Sequence, residues 1–323
     1  MTLNKTVRRS LLKVLLAFGA LAVSQNPALA EEQLRIGYQK YGTFILLKGK
    51  GTLEKRLAPL GIDVRWTEFP AGPQLLEGLN LGAIDVGHAG EAPPIFAQAA
   101  GADLVYIGHE PPAPAGEAIL VQKDSSIKKI SDLKGKRIAL NKGSNVHYLL
   151  VKALEKHGIA YKDIQPAFLP PADARAAFER GSVDAWVIWD PFQAAAEKQL
   201  GARVLVDAKG LAANHQFYLA SRTYAQRRAD VVKIVLEEVA KVDEWSNQNL
   251  KEVAGILGIA AGLEPAVAQL SVERLCFGVR PISDQVVADQ QRIADAFYDL
   301  KLIPKKLNVA EVVWQPTTQV GAR

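Results

Sequence analysis

The chain has 323 residues, 49% of them hydrophobic, enough apolar content for two domain-sized cores. Its formal net charge is +5, but the first thirty residues hold four of the 39 basic side chains and none of the 34 acidic ones, so the rest stands at +1. That balance excludes the electrostatic footprint of a nucleic-acid or membrane-surface binder, and a single cysteine, Cys276, excludes an internal disulfide framework.

The N-terminus is set apart by its own pattern. Lys5, Arg8, Arg9 and Lys13 form a basic front, and residues 11–23 are apolar but too few to span a bilayer comfortably. Ala28-Leu29-Ala30 is a small-x-small cleavage site with Glu31 as the mature start. Residues 1–30 therefore read as a secretory signal peptide, cleaved after Ala30, and the product is expected in the periplasm of a bacterium. An uncleaved N-terminal anchor is the alternative. Arg8-Arg9-Ser10-Leu11-Leu12-Lys13 also fits a twin-arginine signal, and the two export routes stay open. Cys276 lies far from the cleavage site, so it is no lipoprotein anchor, and it reads as a small buried hydrophobe.

The mature chain alternates strands and helices. A strand over 34–38 leads through a polar turn to a helix over 43–57, weakened by Gly49 and Gly51. Strands follow over 62–66, 83–87 and 103–107, with helices over 74–81 and 93–100 between them. Residues 110–116 are proline-rich and mark a domain crossing. A second round then runs through strands over 117–122, 136–140, 164–169, 183–188 and 202–206, with helices over 147–157, 173–180 and 191–200. A strand over 216–220 returns the chain to the first lobe. The segment 230–299 reads mostly helical, with clear apolar spacing over 266–275 and 284–300.

The two rounds match. Gly82-Ala83-Ile84-Asp85 corresponds to Gly181-Ser182-Val183-Asp184, and Pro70-Ala71 to Pro171-Ala172. Pro94-Ile95-Phe96 resembles Pro191-Phe192, and Gly101-Ala102-Asp103 resembles Gly201-Ala202-Arg203. Such a long period with strand–helix alternation fits two α/β lobes, each a mainly parallel sheet flanked by helices. The expected division is 31–112 plus about 218–323 for lobe 1 and 113–217 for lobe 2, with hinges near 110–117 and 214–220.

No enzyme signature is present: there is no G-x-S-x-G, P-loop, H-E-x-x-H or cysteine pair. The five histidines have no helical metal-ligand spacing, so neither metal nor cofactor is expected. His147 and His157 read as helix-surface residues. His88, at a strand end, reads as rim packing or as a side chain pointing into a cleft. Four loop-to-helix junctions stand at strand C-terminal ends, where ligands of open α/β sheets bind: 39–43, 90–93, 143–145 and 189–191. Helix N-terminal N–H groups there favour an anion without any lysine. The candidate ligand residues are Gln39, Gly90, Glu91, Gly143, Ser144, Asn145, Trp189, Asp190, His215 and Phe217. Ser144 and Asn145 are neutral donors or helix caps, and Trp189 stands at a sheet rim. Asp190 is expected as an N-cap before Pro191 at the first helical position. Glu91 and Asp190 would repel an anion, so they suit capping, orienting donors or accepting from a ligand amine.

At these residues the chain resembles the periplasmic substrate-binding proteins of ATP-driven importers, and within them the aliphatic sulfonate-binding proteins. The resemblance runs from Leu34 to Pro316. Its blocks are Leu34-Arg35-Ile36-Gly37-Tyr38-Gln39-Lys40, Glu68-Phe69-Pro70-Ala71-Gly72-Pro73-Gln74, Pro171-Ala172-Asp173-Ala174-Arg175 and Trp189-Asp190-Pro191, with the run from Pro93 to Tyr106. It implies a two-lobed (type II) binding-protein fold, no catalysis, and a monomer that delivers an alkanesulfonate to a membrane permease and its ATPase for sulfur acquisition. Taurine, a sulfate ester or nitrate is the alternative ligand, and an enzyme on the same fold the alternative class. The loop His88-Ala89-Gly90-Glu91-Ala92 departs from the family pattern, so head-group specificity is the part the resemblance constrains least.

Overall fold

A computed structural model describes residues 32–315, and the signal peptide expected over 1–30 lies outside them. The first round builds β1 (Glu32–Tyr38), α1 (Gly42–Lys50), α2 (Thr52–Leu57), β2 (Ile62–Glu68), α3 (Gly72–Asn80), β3 (Val86–Gly90), α4 (Ala92–Ala99) and β4 (Leu104–His109). The second builds β5 (Glu117–Val121), β6 (Arg137–Leu140), α5 (Asn145–Lys156), β7 (Gln165–Phe168), α6 (Pro171–Glu179), β8 (Ala185–Trp189), α7 (Phe192–Leu200) and β9 (Arg203–Asp207). The return brings β10 (Gln216–Ser221) and then α8 (Arg222–Arg227), α9 (Ala229–Gln248), α10 (Leu250–Ala261), α11 (Pro265–Val272) and α12 (Asp284–Asp299).

The strands form two five-stranded sheets, ordered β2-β1-β3-β10-β4 and β7-β6-β8-β5-β9. The orders are the same once β1 is laid on β6, β3 on β8 and β10 on β5. β1 pairs parallel with β3, and β6 with β7 and β8. The one antiparallel member of each pairing set is the strand that follows a crossing: β5 against β8 and β9, and β10 against β3 and β4. Each sheet is covered on both faces by helices, as buried parallel strands require. This is the two-lobed α/β fold.

The duplication reaches individual hydrogen bonds. Gly82 and Gly181 both take positive φ at the end of a helix, the geometry glycine adopts without steric cost. Asp85 and Asp184 then reach back, each carboxylate accepting from a backbone N–H of the neighbouring strand: Arg35 in the middle of β1 at 2.9 Å and Arg137 at the start of β6 at 2.8 Å. Because each aspartate is spent on that turn, the strand begins after it. β3 and β8 therefore start at Val86 and Ala185, later than their apolar runs suggest, and end on Gly90 and Trp189.

Other expectations are corrected. The helix over 43–57 is two helices, because Gly51 takes φ +62° and its N–H closes on Leu47. The Asp190–Pro191 peptide is cis, and Pro191 occupies the cap with Phe192 as the first helical residue. Asp190 still caps, from one residue further back: its Oδ1 accepts from Ala194 N–H at 2.9 Å. His147 is fully buried, not on the surface, because the apolar face of α5 carries it inward among Phe96, Phe168 and Phe297. Cys276 is exposed, and its neighbour Phe277 takes the buried place.

Candidate functional site

The two crossings run side by side. Ala113 N–H donates to Ala213 O at 3.1 Å, and Glu110 N–H donates to Gln216 O at 2.8 Å. A cavity of about 30 Å³ lies beside them, between the strand tips of the two sheets. All four junctions read from the sequence reach it. Gln39 and Tyr41 come from the turn after β1, Gly90 from the tip of β3, and Pro93 from the first turn of α4. Ser144 and Asn145 come from the start of α5, and Trp189 from the tip of β8. Gly72, Asn214 and Gln216 complete the lining.

The start of α5 is open. Ser144 stands at its cap, yet its hydroxyl donates to Asn141 O at 2.7 Å and makes no cap hydrogen bond. The first-turn N–H groups of this twelve-residue helix therefore receive no side-chain cap. That leaves the partial positive charge of a helix terminus next to the cavity, the arrangement that attracts an anion. Asn145 spans the lobes: its Nδ2 donates to Asn214 Oδ1 at 2.6 Å, and its Oδ1 accepts from Ala92 N–H at 3.4 Å. Gly90 faces it so closely that a Cβ there would stand 2.0 Å from Asn145 Oδ1. Trp189 supplies an aromatic wall, held edge-to-face against Phe192 at 6.2 Å.

No Lys, Arg, Asp or Glu is among the residues that line the cavity. A second groove of about 370 Å³ shares Pro93, mostly apolar through Leu76, Phe96 and Ala97, with Glu77, Asn80 and Lys142 as its polar lining. The described part of the chain thus offers a small neutral donor pocket that continues into an apolar groove. This suits a compact anionic head on an apolar tail.

Comparison with known proteins agrees in kind. The family model described as NMT1/THI5 like matches residues 58–249. A relative from Escherichia coli K12, "Putative aliphatic sulfonates-binding protein", is 46% identical over 97% of this chain and 99% of its own length. The chain belongs to the aliphatic sulfonate-binding protein family. Two solved structures extend the match. The alkanesulfonate-binding protein SsuA from Xanthomonas axonopodis pv. citri, bound to MOPS, superposes with a TM-score of 0.84 at 45% identity, covering 87% of this chain and 98% of that one. The periplasmic aliphatic sulphonate binding protein SsuA from Escherichia coli gives 0.81 at 46%, covering 90% and 95%.

The sequence-based candidates separate into two groups. Gln39, Gly90, Ser144, Asn145 and Trp189 line the cavity. Glu91, Gly143, Asp190, His215 and Phe217 do not. Glu91 turns into the return crossing, where its Oε2 accepts from His215 N–H at 3.1 Å. His215 bonds through Nδ1 to Glu110 O at 2.9 Å. Asp190 is buried beside Arg274, 3.5 Å away. Phe217 is core, edge-to-face on Tyr106. Gly143 donates to His147 Nδ1 at 3.3 Å and lines the outer groove instead. Tyr41, Gly72, Pro93, Asn214 and Gln216 were not among the candidates. Asn214 carries one local signal in the structure, a positive φ of 53° without being glycine.

Buried carboxyls lie at and beside the two crossings. Burial pushes Glu91 up to about 7, against the N–H donors of His215 and Asn214, which pull it down. Burial likewise raises Glu110 well above the ordinary range, with Asp243 adding repulsion, and raises Glu117, with Glu91 adding repulsion. A carboxyl raised on folding stabilises the native state fully below its unfolded pKa, and that contribution is lost as pH rises toward the folded value. For Glu91 the window is roughly pH 4.5 to 7 and the loss about 3 kcal/mol. The difference in thermal midpoint between the wild type and Glu91→Gln, which keeps the acceptor, is therefore expected to fall between pH 5 and 7.5. A difference that rises with pH would contradict this.

Proposed function

We propose that this protein is a periplasmic solute-binding protein that captures an alkanesulfonate between its two lobes and delivers it to a membrane permease driven by an ATPase, for sulfur acquisition. The observation that carries the ligand class is the neutral cavity at the uncapped start of α5. Helix N–H groups and amide side chains stabilise one negative charge, and no cationic side chain lines the cavity to balance a second. A sulfonate carries one charge and an apolar tail, and the groove past Pro93 gives the tail a place to lie. Sulfate carries two charges and no tail.

No catalysis is part of this reading. The site holds no nucleophile with an adjacent base, and no group of three or more metal-ligating side chains occurs among the described residues. None of the described helices is long and apolar enough to cross a membrane. The cavity is narrow, about 30 Å³, and we infer that the lobes part to admit a sulfonate and close on its head. The crossings near 110–117 and 214–220 are the natural pivots.

Calorimetry with methane- to octanesulfonate, taurine, sulfate and nitrate tests the assignment. The alkanesulfonates are expected to bind with one site per chain, and sulfate at least about tenfold more weakly, since a tenfold ratio requires only ~1.4 kcal/mol of discrimination. Preference for sulfate or nitrate over every sulfonate would sink the reading.

A further inference from the structure

We propose that Gln216 is an anion-binding donor whose amide is turned by His88 so that its N–H groups face the cavity. The inference rests on the reading that the cavity takes an anion, and adds a residue pair to it. His88 sits on β3 and is fully buried. Gln216 sits on β10, two residues before Tyr218, which stands opposite His88 in the register. The two side chains therefore share a sheet face as diagonal neighbours.

The ring of His88 meets two groups. Its Nε2 is 3.1 Å from Gln39 N. A backbone N–H only donates, so Nε2 accepts and carries no proton. An imidazole with one bare nitrogen is neutral and holds its proton on the other, so Nδ1 is the donor. Burial acts in the same sense, pushing the ring down to about 3. The side-chain amide of Gln216 lies against Nδ1. Two donors cannot pair, so the atom facing Nδ1 is the amide oxygen. The –NH₂ end then turns the other way. No described group bonds to that end of the amide, and Gln216 lines the cavity.

The consequence is a chain of polarity fixed by the backbone. Gln39 N–H sets the tautomer of His88, His88 sets the amide, and the amide presents donors where the first turn of α5 also presents them. Gln39 closes the loop, its Nε2 donating to His88 O at 3.1 Å. His88 is a positioning residue: it is absent from the cavity lining and acts through Gln216.

The test uses the purified protein with pentanesulfonate in calorimetry, and long-range ¹⁵N–¹H correlation for the ring. The wild-type spectrum is expected to show His88 protonated on Nδ1 alone; protonation on Nε2 would overturn the proposal. Gln216→Leu is expected to weaken binding about tenfold, the order for losing one hydrogen bond to a charged group. His88→Leu should cost about as much, and the double variant no more than Gln216→Leu alone, because both remove one shared interaction. His88→Asn, whose amide nitrogen can stand where Nδ1 stands, should remain within about threefold of wild type. Additive losses, or equal losses in His88→Asn and His88→Leu, would overturn the positioning role. If the wild type binds no sulfonate, the functional reading falls, and the spectrum still decides the amide's orientation.

Discussion

Gly90→Val is expected to weaken alkanesulfonate binding by about 100-fold, equivalent to ~2.7 kcal/mol, while leaving the protein folded. Gly90 ends β3 and faces Asn145 across the gap between the lobes, where an added Cβ would stand 2.0 Å from Oδ1 and 2.1 Å from Nδ2. Asn145 cannot swing aside freely, since its amide is held by Asn214 at 2.6 Å and takes the N–H of Ala92. The backbone at Gly90 lies in an ordinary strand, so valine suits the chain locally. The clash arises only where the lobes meet, so the loss should fall on closure and not on folding. Removing the opposing side chain checks this. Gly90→Val with Asn145→Ala should recover part of the loss, because the two changes meet at one contact. Wild-type affinity in Gly90→Val would show that the lobes do not close through this approach.

Arg274→Ala is expected to destabilise the protein by about 3 kcal/mol at pH 8, the low end for breaking a buried pair, and by distinctly less at pH 5. Arg274 follows α11 and reaches across to α7 and the corner before it. Its Nη1 is 2.8 Å from Glu197 Oε1 and 3.5 Å from Asp190 Oδ2. Asp190 is fully buried. Burial already pushes its carboxyl up to about 7, with Arg274 pulling it down. Without the guanidinium the folded value rises further. A raised carboxyl contributes its full stability below the unfolded pKa, near 4, and loses it as pH climbs through the folded one, so the deficit grows with pH. Denaturant unfolding at both pH values measures it. Asp190→Asn in the Arg274→Ala background should restore stability at pH 8, since the amide oxygen can still accept from Ala194 N–H. Equal losses at pH 5 and pH 8 would remove Asp190 from this account.

Much of this was legible because it is local. The repeated Gly-x-x-Asp turn, the apolar runs and the Gly and Pro punctuation lie within a few residues of the structure they cause, so the duplication and all four junctions could be read in order. Trp189 could be placed at a rim because a strand tip precedes it directly. The residues that escaped are those delivered from far away. Gln216 and Asn214 arrive on the return crossing, more than 120 residues after His88, and only the sheet register brings Gln216 to its ring. Glu91 and Asp190 sit in the candidate loops, and Asp190 caps as its position suggests, yet Glu91 accepts from His215 N–H and Asp190 lies beside Arg274, partners no spacing rule names. His147 is buried because helical phase carries it among Phe96, Phe168 and Phe297, whereas Cys276 lies in the loop after α11, where Phe277 and not the cysteine turns inward.

Crystals grown with a bromoalkanesulfonate test the central claim most directly, because anomalous scattering locates bromine and sulfur independently. The sulfur is predicted between the start of α5 and Gln216, beside Trp189, with the bromine toward the apolar groove past Pro93. A sulfonate found outside the space between the two sheets, or bound there with its charge against Glu91 or Asp190, would contradict the account.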